Sequence, residues 1–124
     1  MKTRDALPAE LRHALAELFG DPVDDVELRE RSLFARLHGR ATATTRRNTI
    51  YLRGTLEEFL RDPDLLLHEY FHVLRQWNRG RMSTWSYLLE CCRNGYWQNR
   101  YERQARRFVR LRRDAFVRGL ARLG

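Results

Sequence analysis

Apolar residues recur along this chain at two spacings, and the switches between them mark out its elements. Leu11, Ala14, Leu15 and Leu18 stand three or four apart, which predicts an amphipathic helix from Pro8 to Phe19 with Gly20 as its stop. Asp21-Pro22 opens a turn. Val26 and Leu28 then alternate with charges, the pattern of a half-exposed strand between Val23 and Arg29. Ser32 can cap a short helix through Leu37, which Gly39 ends. Ala41-Thr42-Ala43-Thr44-Thr45 and Thr49-Ile50-Tyr51-Leu52-Arg53 are β-favouring runs around Arg46-Arg47-Asn48, and together they predict a hairpin.

After Gly54 the helical spacing returns. Leu56 to Leu60 makes one short turn. Asp62-Pro63 is an N-cap followed by a first-turn proline, opening a helix to about Asn78 whose faces carry Leu65, Leu66, Leu67, Phe71, Val73, Leu74 and Trp77. Arg79-Gly80-Arg81 is a loop, after which Ser83 or Thr84 caps a helix bearing Trp85, Leu88, Leu89 and Cys92, with Gly95 at its end. The last helix runs from about Arg100 to Leu123 on a stripe of Ala105, Phe108, Val109, Ala115, Phe116 and Leu120. The pairs Arg106-Arg107 and Arg112-Arg113 fall off that stripe and should be solvated, whereas Trp77 and Trp85 are expected to pack in the core. The pattern therefore predicts one α+β domain over residues 1–124. Its short, mostly antiparallel sheet of about three strands packs on the 63–78 helix, and its C-terminal half is helical.

Within the 63–78 helix lies the chain's most specific chemistry, His68-Glu69-Tyr70-Phe71-His72. Residues four apart share a helical face, so His68 and His72 can close on one metal ion. Glu69, one residue round, can reach a water held on that ion. Two histidines leave a catalytic metal one protein ligand short. Glu90, Cys91, Cys92, Glu102 and Asp114 are the downstream candidates. Glu102 follows the Gly95-Tyr96 turn that would bring the chain back over the metal helix. It also completes a capping-box pattern, Asn99-Arg100-Tyr101-Glu102, and spacing alone leaves ligand and cap equally open.

Composition narrows the remaining choices. The chain has 124 residues, 43% of them hydrophobic, enough for one modest core. The net charge of +8 is almost all arginine, Lys2 being the only lysine, and implies solubility and weak attraction to polyanions. The Arg-rich last helix raises nucleic-acid binding, but acidic residues are interspersed and no recognised binding motif occurs, so no specific nucleic-acid partner is expected. Cys91 and Cys92 are adjacent, poorly placed to bridge each other, and read as small helix residues of a reducing compartment. Pro8, Glu10, Arg12, His13 and Glu17 interrupt any N-terminal apolar run, so neither a signal peptide nor a membrane span is expected and the cytoplasm is the expected location.

Three segments together carry a resemblance: Asn48-Thr49-Ile50-Tyr51-Leu52-Arg53, His68-Glu69-Tyr70-Phe71-His72-Val73-Leu74, and Gly95-Tyr96-Trp97-Gln98-Asn99-Arg100-Tyr101-Glu102-Arg103-Gln104-Ala105. Over about residues 41 to 108 the chain resembles the compact gluzincin-type zincins, the mini-gluzincin and DUF4157-like proteins. The resemblance implies one Zn²⁺ per chain bound by His68, His72 and Glu102, with Glu69 as general base. It implies a small zinc-dependent metallopeptidase that hydrolyses peptide bonds with a zinc-activated water. Thr49, Ile50, Tyr51, Leu52 and Arg53 would then form the sheet edge on which an extended peptide or unfolded segment adds as a strand. Tyr96, Tyr101 and Arg75 are the nearest candidates to stabilise the oxyanion. The alternative is a catalytically silent zincin-fold module that binds proteins and keeps a structural or vestigial zinc.

Overall fold

A computed structural model describes residues 1–32 and 43–123. The short helix expected from Ser32 to Leu37 and the first two residues of the hairpin, Ala41 and Thr42, fall outside or at the border of these.

Two N-terminal helices, α1 (Thr3–Ala6) and α2 (Ala9–Phe19), precede a three-stranded sheet of β1 (Glu27–Arg29), β2 (Ala43–Arg46) and β3 (Thr49–Leu52). Gly20 ends α2 with φ 69°, a left-handed conformation that glycine adopts without a Cβ penalty. Asn48 takes the corresponding position in the hairpin turn at φ 56°, and asparagine is one of the few side chains that tolerate it. The strand order is β1-β3-β2, with β1 parallel and β2 antiparallel to β3. The sheet is thus mixed, half of its pairing being parallel.

That order corrects one expectation. Thr49–Leu52 is the central strand, with Ile50 opposite Leu28 on one side and Thr45 on the other. Its backbone is paired on both sides, so Thr49, Ile50, Tyr51 and Leu52 offer no free edge for a peptide, and Arg53 lies past the strand's end. Among the described residues the outer side of β2 is the one left open toward the site.

Ile50, Leu52, Ala43 and Leu28 alternate inward and join one core with Leu66, Leu67, Tyr70 and Val73 of the next long helix. After α3 (Leu56–Leu60), that helix, α4 (Pro63–Phe71), starts as its sequence promised: Asp62 accepts from the Leu65 N–H and Pro63 occupies the first turn. Tyr70 is fully buried, and its hydroxyl is satisfied 2.7 Å from Thr3 Oγ1. From His72 to Trp77 the helix continues with π-helical winding, closed by a bond from the Asn78 N–H to the Val73 carbonyl at 2.8 Å. No sequence signal pointed to this widening, which in other proteins is frequent at functional sites.

Helix α5 (Thr84–Gln98) is capped by Ser83, and α6 (Arg100–Leu123) runs the length the sequence predicted. Phe108 of α6 stacks on Phe19 at 4.9 Å and meets Phe71 in a tilted contact at 5.0 Å, which pins α2, α4 and α6 together. Trp85 departs from expectation: it is 82% exposed, and no residue of α5 is fully buried. Among the described residues no helix is long and apolar enough to cross a membrane.

Candidate metal centre

Both histidines of the motif project from α4 and its π-helical extension toward the first turn of α6. Their rings lie edge to face, 4.7 Å apart. Gly95, at φ 77° and ψ 168°, breaks α5 and lets the chain turn back. Asn99 then holds the corner: its Oδ1 accepts from the Tyr101 N–H, and its Nδ2 donates to the Tyr87 carbonyl. Glu90 Oε2 accepts the Arg100 N–H, an otherwise orphan donor of the new helix. The cap is therefore supplied by Asn99 and Glu90, and the Glu102 side chain is released for another task.

That task is the histidine pair. Glu102 Oε1 lies 2.9 Å from His68 Nε2 and 2.8 Å from His72 Nε2, and the two nitrogens are 3.1 Å apart. A circle through these three atoms has a radius of about 1.7 Å, shorter than the ~2.0–2.2 Å of a Zn–N or Zn–O bond. One cation to the side of their plane can therefore touch all three. Two imidazoles and a carboxylate form the donor set of catalytic zinc sites that keep a fourth position open. Among the described residues His68, His72 and Glu102 form the group that could hold a metal ion. Of the competing candidates, Glu90 caps α6, Asp114 pairs with Arg113, Cys92 is exposed, and Cys91 lies on the wall of the adjoining cleft with its Sγ accepting from Asn99 Nδ2 at 3.2 Å, outside the three-donor group.

The electrostatics fit the donor set. Burial works against charge on His72, but the hydrogen bond and negative charge of Glu102 outweigh it and carry the imidazole up to about 9. Glu102 experiences the reciprocal effect: burial raises it, while hydrogen bonds from His68 and His72 hold its carboxyl far below the usual range. Glu69 is buried and its carboxyl is pushed up by desolvation, against the pull of His72 and His68.

Beside this cluster opens a cleft of about 260 Å³. The β2 residues Ala43 to Arg46 form one wall, Tyr87, Leu88, Cys91 and Tyr96 of α5 the other, and Glu69, His72 and Glu102 line it between them. Trp77 faces the cleft as well, its indole N–H donating to Thr45 Oγ1 at 3.1 Å.

Of the three proposed oxyanion residues, Tyr96 alone is brought to this cleft. Tyr101 is buried with its hydroxyl accepting from Arg100. Arg75 turns the other way, donating to the Phe19 carbonyl and lying over the Phe19 and Phe108 rings. Tyr101 stands one residue before Glu102, about 100° round α6 from it, and Arg75 lies in the π-helical turn with its guanidinium on the Phe19 and Phe108 rings.

Sequence reasoning missed two side chains. Gln76 Oε1 sits 2.6 Å from His72 Nδ1, and Tyr87 Oη donates to Glu102 Oε2 at 2.7 Å. The i+4 spacing of Gln76 from His72 was a readable signal for the first. Nothing local announced the second, which depends on how α5 packs against α6.

No curated protein and no solved structure matches the chain. Residues 6–80, which include both histidines and Glu69 but stop short of Glu102, match the family model described as the eCIS core domain. That match spans more than half of the sequence, and the chain belongs to the eCIS core domain family.

Proposed function

We propose that this protein is a small zinc-dependent peptidase of gluzincin type, holding one Zn²⁺ through His68, His72 and Glu102. The observation that carries this reading is the convergence of three donor atoms within 3.1 Å of one another, beside a cleft that His72, Glu102 and Glu69 line. Zinc held by these three side chains would supply Lewis acidity, enough to make a water near the site acidic at about neutral pH. Glu69 is the group that takes the proton of the attacking water and passes it to the leaving amine. A carboxyl raised by desolvation is matched to holding a proton between those two steps. Tyr96, whose phenol is pushed up to about 12 chiefly by burial, stays protonated and can donate to a developing oxyanion. The outer edge of β2 is where an extended peptide or unfolded segment would lie, passing between β2 and α5. The family's name refers to extracellular contractile injection systems, and a peptidase working with such a system is the setting we infer.

One observation favours a second reading. Trp85, Leu88 and Leu89, within adjacent turns of α5, are exposed apolar side chains, as a protein-binding module with a silent metal site would present.

Zinc analysis combined with casein cleavage separates the two. The first reading expects about one zinc per chain in the wild type and in Glu69→Gln, with cleavage in the wild type alone. Zinc in both without cleavage in either leaves the binding module. Stoichiometric zinc in His72→Ala removes the ligand set.

A further inference from the structure

We propose that Gln76 is the positioning residue of this centre, fixing the His72 imidazole in the tautomer that turns Nε2 toward the metal and tying that ring to the helix that carries Glu102. The inference rests on the zinc reading above and adds a residue to it.

Gln76 is 1% exposed, and each polar atom of its amide is engaged. Its Nε2 donates to the Tyr101 carbonyl at 3.1 Å and to Gln104 Oε1 at 2.9 Å, both on α6. A backbone carbonyl can only accept, so the NH₂ end of the amide must face α6. The oxygen end therefore faces His72, 2.6 Å from Nδ1. An amide oxygen can also only accept, so the proton of this contact belongs to Nδ1. A neutral imidazole protonated at Nδ1 carries its lone pair on Nε2, the atom that meets Glu102 Oε1 and His68 Nε2.

The backbone of Gln76 is held as firmly as its side chain. It lies inside the π-helical turn, and its carbonyl accepts from the N–H groups of Arg81 at 2.9 Å and Met82 at 3.2 Å. One residue thus links His72 to Tyr101 and Gln104, on either side of Glu102 in the chain, so the ring and the carboxylate are set relative to each other before an ion arrives. A carboxylate at position 76 would accept from Nδ1 equally well but could not donate to the Tyr101 carbonyl.

Zinc affinity, measured by competition with a chromophoric chelator and run beside thermal melts, tests the assignment in wild type, Gln76→Leu and Gln76→Glu. Removing an outer partner of a metal-bound histidine weakens binding about 10- to 100-fold, the loss expected for Gln76→Leu. Gln76→Glu should recover most of it, because the acceptor for Nδ1–H is restored. A residue that only braces α6 gives the reverse order, since the carboxylate repels the Tyr101 carbonyl. Nitrogen NMR of the zinc-loaded wild type adds a readout that needs no variant: His72 should carry its proton on Nδ1 and its metal on Nε2. A folded Gln76→Leu with wild-type affinity, or ligation through Nδ1, overturns the proposal. A wild type that binds no zinc fails the zinc reading itself and this assignment with it.

Discussion

Tyr87 holds one oxygen of Glu102, donating to Oε2 at 2.7 Å, while Oε1 faces the histidines. The two oxygens have divided roles, one for the site and one for the wall of the cleft. Tyr87→Phe removes the donor without altering the ring that stacks on Tyr101. We expect zinc affinity to fall about tenfold, the lower end for loss of an outer partner. Chelator competition measures it, and unchanged affinity would detach Tyr87 from the centre.

Proton release should accompany metal binding. His72 titrates at about 9, so near pH 7 it carries a proton that an incoming ion displaces. Calorimetry in buffers of different ionisation enthalpy should find about one proton released per zinc at pH 7, with apparent affinity climbing until pH reaches about 9. The metal-free protein shows the opposite trend. A pKa raised from 6.5 adds stability that is complete below 6.5 and is lost as pH rises through about 9. Its melting temperature should therefore fall over that interval, and a flat profile would mean that the His72–Glu102 pair contributes nothing.

Ile50 lies at the centre of the middle strand with no exposed surface. Ile50→Ala opens a cavity against α4, with a cost of about 2–5 kcal/mol. Denaturant unfolding checks it. A loss below ~1 kcal/mol would mean that the sheet can collapse onto the gap.

Asn99 is fully buried at the corner between α5 and α6. Asn99→Ala strips the cap from the Tyr101 N–H and the donor from the Tyr87 carbonyl. Loss of a cap costs about 0.5–2 kcal/mol, and the same change should loosen the zinc site because Glu102 stands three residues on. Melting and zinc affinity should fall together.

Much of this architecture was legible in the sequence. Asp62-Pro63, Gly20 and Ser83 marked helix ends by local chemistry, and local chemistry survives folding. The pair His68 and His72 was legible for the same reason. The position of Thr49–Leu52 was not, because alternation reveals which face is buried and says nothing about how many neighbours a strand has. Trp85 was misjudged because an aromatic residue at helical spacing looks the same whether or not another element covers it. Glu102 stood between two readings, and what decided it was Glu90, twelve residues upstream, which took part of the capping role. Such an exchange between distant side chains leaves no trace in a spacing pattern.

Gly95 touches nothing that a methyl group would disturb, having no heavy atom within 4 Å of where one would stand. Its φ and ψ of 77° and 168° nonetheless belong to a region that essentially only glycine enters. Adding that methyl would strain the corner by about 1–3 kcal/mol. Assembly of the triad thus depends on a residue outside it, where the smallest side chain can pull the third ligand out of alignment without entering the cleft.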